Sequence, residues 1–134
     1  MGIKSLSKIT KWINKKGFEL KSGKEDCIYF EQKTININFN KNDVHIIYSI
    51  LHECGHLVVF NRHSYEREFS NLIVSEDNKR VLRTNRYKYE LLKDEMLAWE
   101  SGLKLAERLK IKVDQDDYYL YASKCFMSYV KWVK

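Results

Sequence analysis

The sequence predicts an α+β fold in a single domain spanning residues 1–134, on three observations. Apolar residues recur at helical spacing near the N-terminus, alternate strictly over 34–39, and return to helical spacing in three later stretches. A hydrophobic content of 44% supports a real core. With no Pro and only five Gly, no stretch reads as a linker.

The elements follow in order. Leu6, Ile9, Trp12 and Ile13 lie on one face of a helix over 5–16, with Lys between them, and Gly17 stops it. Strands follow over 18–39. Cys27-Ile28-Tyr29-Phe30 is a strand-like run, and Thr34 to Phe39 alternates Ile35, Ile37 and Phe39 toward the core with Asn toward solvent. Ser22-Gly23 and Gln32-Lys33 are the turns between them, so a small antiparallel sheet is expected. Asn42 or Asp43 caps an amphipathic helix over 44–60, its apolar positions Val44, Ile47, Leu51, Cys54 and Val58 following the 3.6 period. Residues 61–86 are polar and irregular, with Phe69 and Leu72-Ile73-Val74 hinting at a strand or packed loop. Two helices close the chain, over 87–110 and, after a cap at Asp114, over 115–132.

Composition narrows the function. Cys27, Cys54 and Cys125 are odd in number and widely spaced, so neither a disulfide framework nor a cysteine zinc site is expected, which fits a reducing compartment. Charged and polar residues interrupt every apolar run near Met1, so neither a signal peptide nor a membrane span is expected, and the cytoplasm is the default location. Leu6 stands where a myristoylation motif needs Ser or Thr. The net charge of +6 is spread along the chain without a nucleic-acid-binding motif, so a solvated lysine surface is expected and a nucleic-acid partner is not.

The chemistry lies in His52-Glu53-Cys54-Gly55-His56. Residues four apart on a helix sit one above the other, so both imidazoles can reach one tetrahedral zinc ion. Glu53 lies between them in angle and can take a proton from a zinc-bound water without being a ligand. Ile50, Leu51, Leu57 and Val58 surround the pair, and Gly55 lets a neighbouring element approach. A third protein ligand is needed. Val59 and Arg62 stand where the metzincin pattern has Gly and His, which excludes that class, and His63 is one position off it. Glu95 is the better candidate. It begins a helical stretch whose Ala98, Gly102 and Ala106 form a small-residue stripe for close helix packing, while Glu90, Asp94 and Glu100 are expected to be solvated. Cys54 points toward the core as a buried thiol, and His45 is expected in a capping or surface role. Tyr118, Tyr119, Tyr121, Phe126, Tyr129 and Trp132 are expected to pack helices.

Ile50-Leu51-His52-Glu53-Cys54-Gly55-His56 together with Glu95-x-x-Ala98-Trp99 resembles the gluzincin branch of the HExxH metallopeptidases. The nearest likeness is to minimal phage and mobile-element members related to the ImmA/IrrE-like peptidases, and it covers residues 44–60 and 87–108. The resemblance implies a minimal zincin-like core, with a small antiparallel sheet packed on the HExxH helix and a downstream ligand-bearing helix. It implies Zn2+ held by His52, His56 and Glu95, with Glu53 as general base and acid. It also implies a strand beside the His helix against which an extended peptide pairs, for which Thr34–Phe39 is the natural candidate. The expected activity is therefore zinc-dependent hydrolysis of peptide bonds in a peptide or protein substrate. The competing expectation is a zinc-containing binding or regulatory module without turnover. A donor for the developing oxyanion would come from Tyr65, Tyr87, Tyr89 or His63, among which the sequence does not choose.

Overall fold

The computed structural model describes residues 2–63 and 85–133, and within them the chain is α+β. Helix α1 (Gly2–Lys15) leads into strands β1 (Glu19–Ser22), β2 (Cys27–Tyr29) and β3 (Thr34–Ile37). Helices α2 (Asp43–His63), α3 (Asn85–Arg108) and α4 (Gln115–Val133) follow. The hints of a strand or packed loop at Phe69 and Leu72-Ile73-Val74 lie outside the described residues, as does Tyr65.

Local chemistry sets the helix boundaries. At the end of α1, Phe18 N donates to Ile13 O at 3.1 Å and Gly17 N to Asn14 O at 3.0 Å. That pairing puts Gly17 in the left-handed region, at φ 82°. The same motif ends α3 two residues earlier than the hydrophobic period suggests. Ile111 N donates to Ala106 O at 2.8 Å while Lys110 takes φ 57°. Asn42 Oδ1 accepts from His45 N at 2.8 Å, which makes Asn42 the cap of α2, and Asp114 Oδ1 accepts from Asp117 N at the start of α4.

The sheet corrects the expectation of an antiparallel arrangement. Its order is β1-β3-β2, with β1 parallel and β2 antiparallel to β3. The chain leaves β1, crosses the C-terminal end of β3, descends as β2 and returns as β3 between the other two. Asn38 holds the crossover in place: its backbone N donates to Asp26 Oδ1 at 2.7 Å and its amide Nδ2 to Lys24 O at 3.1 Å. Two consequences follow. The chain turns away at Asn38, so Phe39 leaves the sheet and is 36% exposed instead of joining Ile35 and Ile37 in the core. And β3, the strand expected to receive a peptide, is central and hydrogen-bonded on both sides.

Helix α2 is not one-faced. From Ile47 to Leu51, and again at Glu53, Cys54, Gly55, Leu57 and Val59, it is buried on nearly every side, while Val44 in its first turn is exposed. A helix apolar all round belongs inside a fold. Here α1, β2 and β3 pack on α2, as do α3 and α4. Ile9 and Ile13 of α1, Ile35 and Ile37 of β3, and Ile50 and Leu51 of α2 form the middle of the core, all with no measurable exposure.

Helices α2 and α3 pack backbone against backbone. A Cβ added to Gly55 would lie 1.8 Å from Ala98 O, and one added to Gly102 would lie 2.4 Å from Leu51 O. Two backbones approach this closely only where side chains are missing. Ala98, Gly102 and Ala106 are all buried there, as the small-residue stripe predicts.

Candidate metal centre

The close approach of α2 and α3 brings the sequence-predicted ligands together. Glu95 lies one turn before Ala98, and its carboxylate bridges the two imidazoles. Oε2 is 2.9 Å from His52 Nε2, and Oε1 is 2.8 Å from His56 Nε2. The two rings lie with centroids 4.7 Å apart. Trp99, one turn after Glu95, stacks flat on His52 at 4.0 Å and 6°, which fixes the plane of that ring. Glu95 and Trp99 thus act from one face of α3 on the same histidine.

Glu53 is in place but differently engaged. It is 4% exposed, and its Oε2 lies 3.2 Å from His52 Nδ1. Ligand atoms of His52, Glu53 and His56 fall within 4.8 Å of one another, so proximity alone admits Glu53 as a third ligand. The ring nitrogens separate the two carboxylates. Both Nε2 atoms converge on Glu95, whereas Glu53 meets the far nitrogen of one ring only. Glu95 is thus the carboxylate that both Nε2 atoms face.

The donor set fits zinc. Two imidazoles and one carboxylate are a known catalytic zinc set, and ligand atoms at zinc bond lengths of about 2.0–2.1 Å stand about 3.3 Å apart around a tetrahedron. The nitrogen-to-oxygen separations of 2.9 and 2.8 Å would have to open by about half an ångström, within reach of side-chain rotation.

The electrostatics suit a cation. Burial opposes charge on His52, but the carboxylates of Glu53 and Glu95 outweigh it and push its pKa up to about 9. For Glu95, burial raises the pKa, and the two histidines more than reverse this, holding it well below the ordinary carboxylate range.

A cleft of about 410 Å3 opens over these residues. Its other walls are Asp26, Cys27 and Ile28 at β2, Ser49 on α2, and Tyr121, Cys125 and Tyr129 on α4. A groove of about 500 Å3 runs between His45 and Lys124, but it lacks the clustered ligands; chemistry, not volume, selects the site.

Several expectations are corrected here. Asp94 is not solvated: it is 6% exposed, one turn before the buried Ala98 on the same helix. Glu100 is exposed as expected, while Glu90 is half-buried. Of the tyrosines named for the oxyanion, Tyr89 is 62% exposed and Tyr87 is half-buried outside the walls of the cleft. His63 is the last residue of α2. Besides Ser49, the hydroxyl-bearing residues that line the cleft among the described residues are Tyr121 and Tyr129, two tyrosines expected only to pack helices. Their signal was the i, i+4, i+8 row of Tyr121, Cys125 and Tyr129, which gives α4 one partly polar face. Cys54 is fully buried as expected, and burial, then the charge of Glu53, pushes its thiol pKa up. His45 does take part at a cap: its Nδ1 lies 3.2 Å from Asn42 Nδ2.

Comparisons with protein-family models, with curated proteins and with solved structures return no match. The reading of this centre therefore rests on its own geometry. Among the described residues no helix is long and apolar enough to cross a membrane.

Proposed function

We propose that the chain is a zinc-dependent hydrolase of the HExxH type, built on a minimal zincin-like core and cleaving peptide bonds in the cytoplasm. The observation that carries this reading is the convergence of His52 Nε2 and His56 Nε2 on Glu95, with a second buried carboxylate, Glu53, beside them at the floor of a cleft. His52, His56 and Glu95 would hold the ion. When bound, zinc supplies Lewis acidity to a substrate carbonyl and lowers the pKa of water.

The chain's own residues supply the rest. The Glu53 carboxylate accepts the proton of the attacking water and returns it to the leaving amine. Trp99 holds the ring of His52 in plane by stacking. An extended substrate lies along β2 rather than β3. Cys27 and Ile28 of β2 border the cleft, and among the described residues β2 has a strand neighbour on one side only. Main-chain pairing along such an edge holds a peptide with little demand on its side chains.

A second reading draws on the contact between Glu53 and His52 Nδ1. A carboxylate in that position orients a metal-bound imidazole, which suits a zinc-containing binding or regulatory module without turnover. One experiment separates the two. Zinc-loaded wild type and Glu53→Gln are incubated with an unstructured protein such as casein, and new amino termini are counted. The enzyme reading expects cleavage by wild type and a loss of about 100-fold or more in Glu53→Gln at unchanged zinc content. Equal rates for the two proteins, or zinc-loaded wild type that leaves the chain intact, refute it in favour of the module.

A further inference from the structure

Four polar side chains link the outside of the fold to the cleft. Asp26 Oδ2 accepts from Lys41 Nζ, and Lys41 Nζ also donates to Ser49 Oγ at 3.1 Å. Ser49 Oγ lies 2.9 Å from the Tyr121 hydroxyl. Ser49 is 2% exposed, and the Lys41 and Asp26 side chains are largely covered. Asp26, Ser49 and Tyr121 all border the cleft that holds His52, Glu53, His56 and Glu95.

Chemistry fixes the direction of the bonds from Lys41, while between Ser49 and Tyr121 either hydroxyl can donate. An ammonium group only donates, so Ser49 Oγ must accept from Lys41. The one proton of Ser49 is then free for the Tyr121 oxygen. If Tyr121 accepts it, its own proton is turned away from Ser49. In that arrangement the Tyr121 proton is available to an acceptor in the cleft that Tyr121 borders. Every donor in the row then points the same way, and each bond polarises the next. The tyrosine ring is clamped as well, stacked on His45 at 4.4 Å and edge-on to Trp99 at 5.9 Å.

We infer that Tyr121 is the hydrogen-bond donor to the oxygen that gains negative charge in the cleft, with Lys41 and Ser49 as positioning residues that aim and strengthen it. This rests on the metal-site reading above and adds to it a residue on a third helix.

The test uses the full chain. Zinc content and affinity are measured first. The zinc-loaded protein is then titrated with methylphosphonate, whose tetrahedral oxygens stand in for the charged substrate oxygen. Tyr121→Phe should bind the phosphonate about 10- to 100-fold more weakly than wild type, the range for one hydrogen bond to a charged group, with zinc affinity unchanged. Ser49→Ala and Lys41→Met should each weaken it by a smaller factor, of roughly three to tenfold, and Lys41→Arg should restore most of the loss. Should Lys41→Met fail to fold with Asp26 left alone, the double variant Asp26→Asn/Lys41→Met removes both charges and carries the same expectation. Unchanged phosphonate affinity in Tyr121→Phe overturns the inference, as does a loss confined to Tyr129→Phe. A loss in Tyr121→Phe with none in the Ser49 and Lys41 variants overturns the positioning row. Wild type that holds no zinc fails at the first measurement and removes the metal-site reading itself, a different result from intact zinc with unaltered phosphonate binding.

Discussion

Replacing Gly55 with Ala should damage both the fold and the metal centre, by an amount that can be worked from the helix contact. The new Cβ would stand 1.8 Å from Ala98 O, and the obstacle is backbone, not the end of a flexible side chain. Ordinary contact begins near 3.4 Å, so α3 must back away from α2 by about 1.5 Å at this point. Overpacking of this kind costs about 1–3 kcal/mol, and a backbone obstacle belongs at the upper end. Ala is a better helix former than Gly by about 1 kcal/mol, which offsets part of it. The net loss is about 2 kcal/mol, or roughly 6–8 °C in Tm for a domain of this size. Glu95 is one turn from Ala98 and moves with it. A shift of about 1.5 Å separates it from imidazoles now 2.8 and 2.9 Å away. Zinc affinity should then fall by more than about 100-fold, beyond the usual cost of disturbing an outer partner of a metal ligand. Thermal unfolding of the metal-free protein and competition with a chromogenic chelator read the two effects. A Gly55→Ala protein with wild-type Tm and wild-type zinc affinity would show that α2 and α3 do not meet here, and the three-ligand geometry would fall with that contact.

Three other expectations are simpler. In the metal-free protein, His52 has its pKa raised from 6.5 to about 9, so its stabilisation is fully present below pH 6.5 and is lost as pH rises toward 9. Tm should fall across that interval and should be flatter there in Glu95→Gln; a Tm that rises with pH in wild type contradicts the pairing. Ile35→Ala removes a side chain with no exposure from the middle of β3 and should cost about 2–5 kcal/mol in urea unfolding, with a value under 1 kcal/mol arguing against a core position. Asn42→Ala removes the cap of α2 and should cost about 1 kcal/mol while leaving zinc affinity within about twofold, since the cap lies at the far end of the helix from His56; a large drop in zinc affinity would tie the cap to the site.

The helices, the His52–His56 pair and the close helix contact that brings Glu95 to it were legible because each rests on local spacing. His52 and His56 share a helix face whatever the rest of the fold does, and the Ala98–Gly102–Ala106 stripe announces a close helix contact on its own. What the sequence concealed depends on contacts between distant segments. Nothing in residues 18–39 shows that β3 returns between β1 and β2, because the crossover is held by Asn38 reaching Asp26 and Lys24, and each of these reads locally as an ordinary polar loop residue. Tyr121 looked like a packing residue because aromatic rows on helices usually are; its hydroxyl gains a role only when Ser49 and Lys41 are brought behind it. Asp94 was misplaced for the opposite reason. Its charge suggested solvent, yet it is buried one turn before Ala98.

The central claim is that His52, His56 and Glu95 hold one zinc ion, and zinc-edge X-ray absorption on the metal-loaded protein tests it most directly. The account predicts about one zinc per chain, with nitrogen and oxygen neighbours only, at about 2.0–2.1 Å, two of them imidazole, and loss of tight binding in Glu95→Ala. Sulfur in the coordination shell, zinc below about a tenth of an equivalent under metal-replete conditions, or a spectrum and affinity unchanged in Glu95→Ala would contradict it.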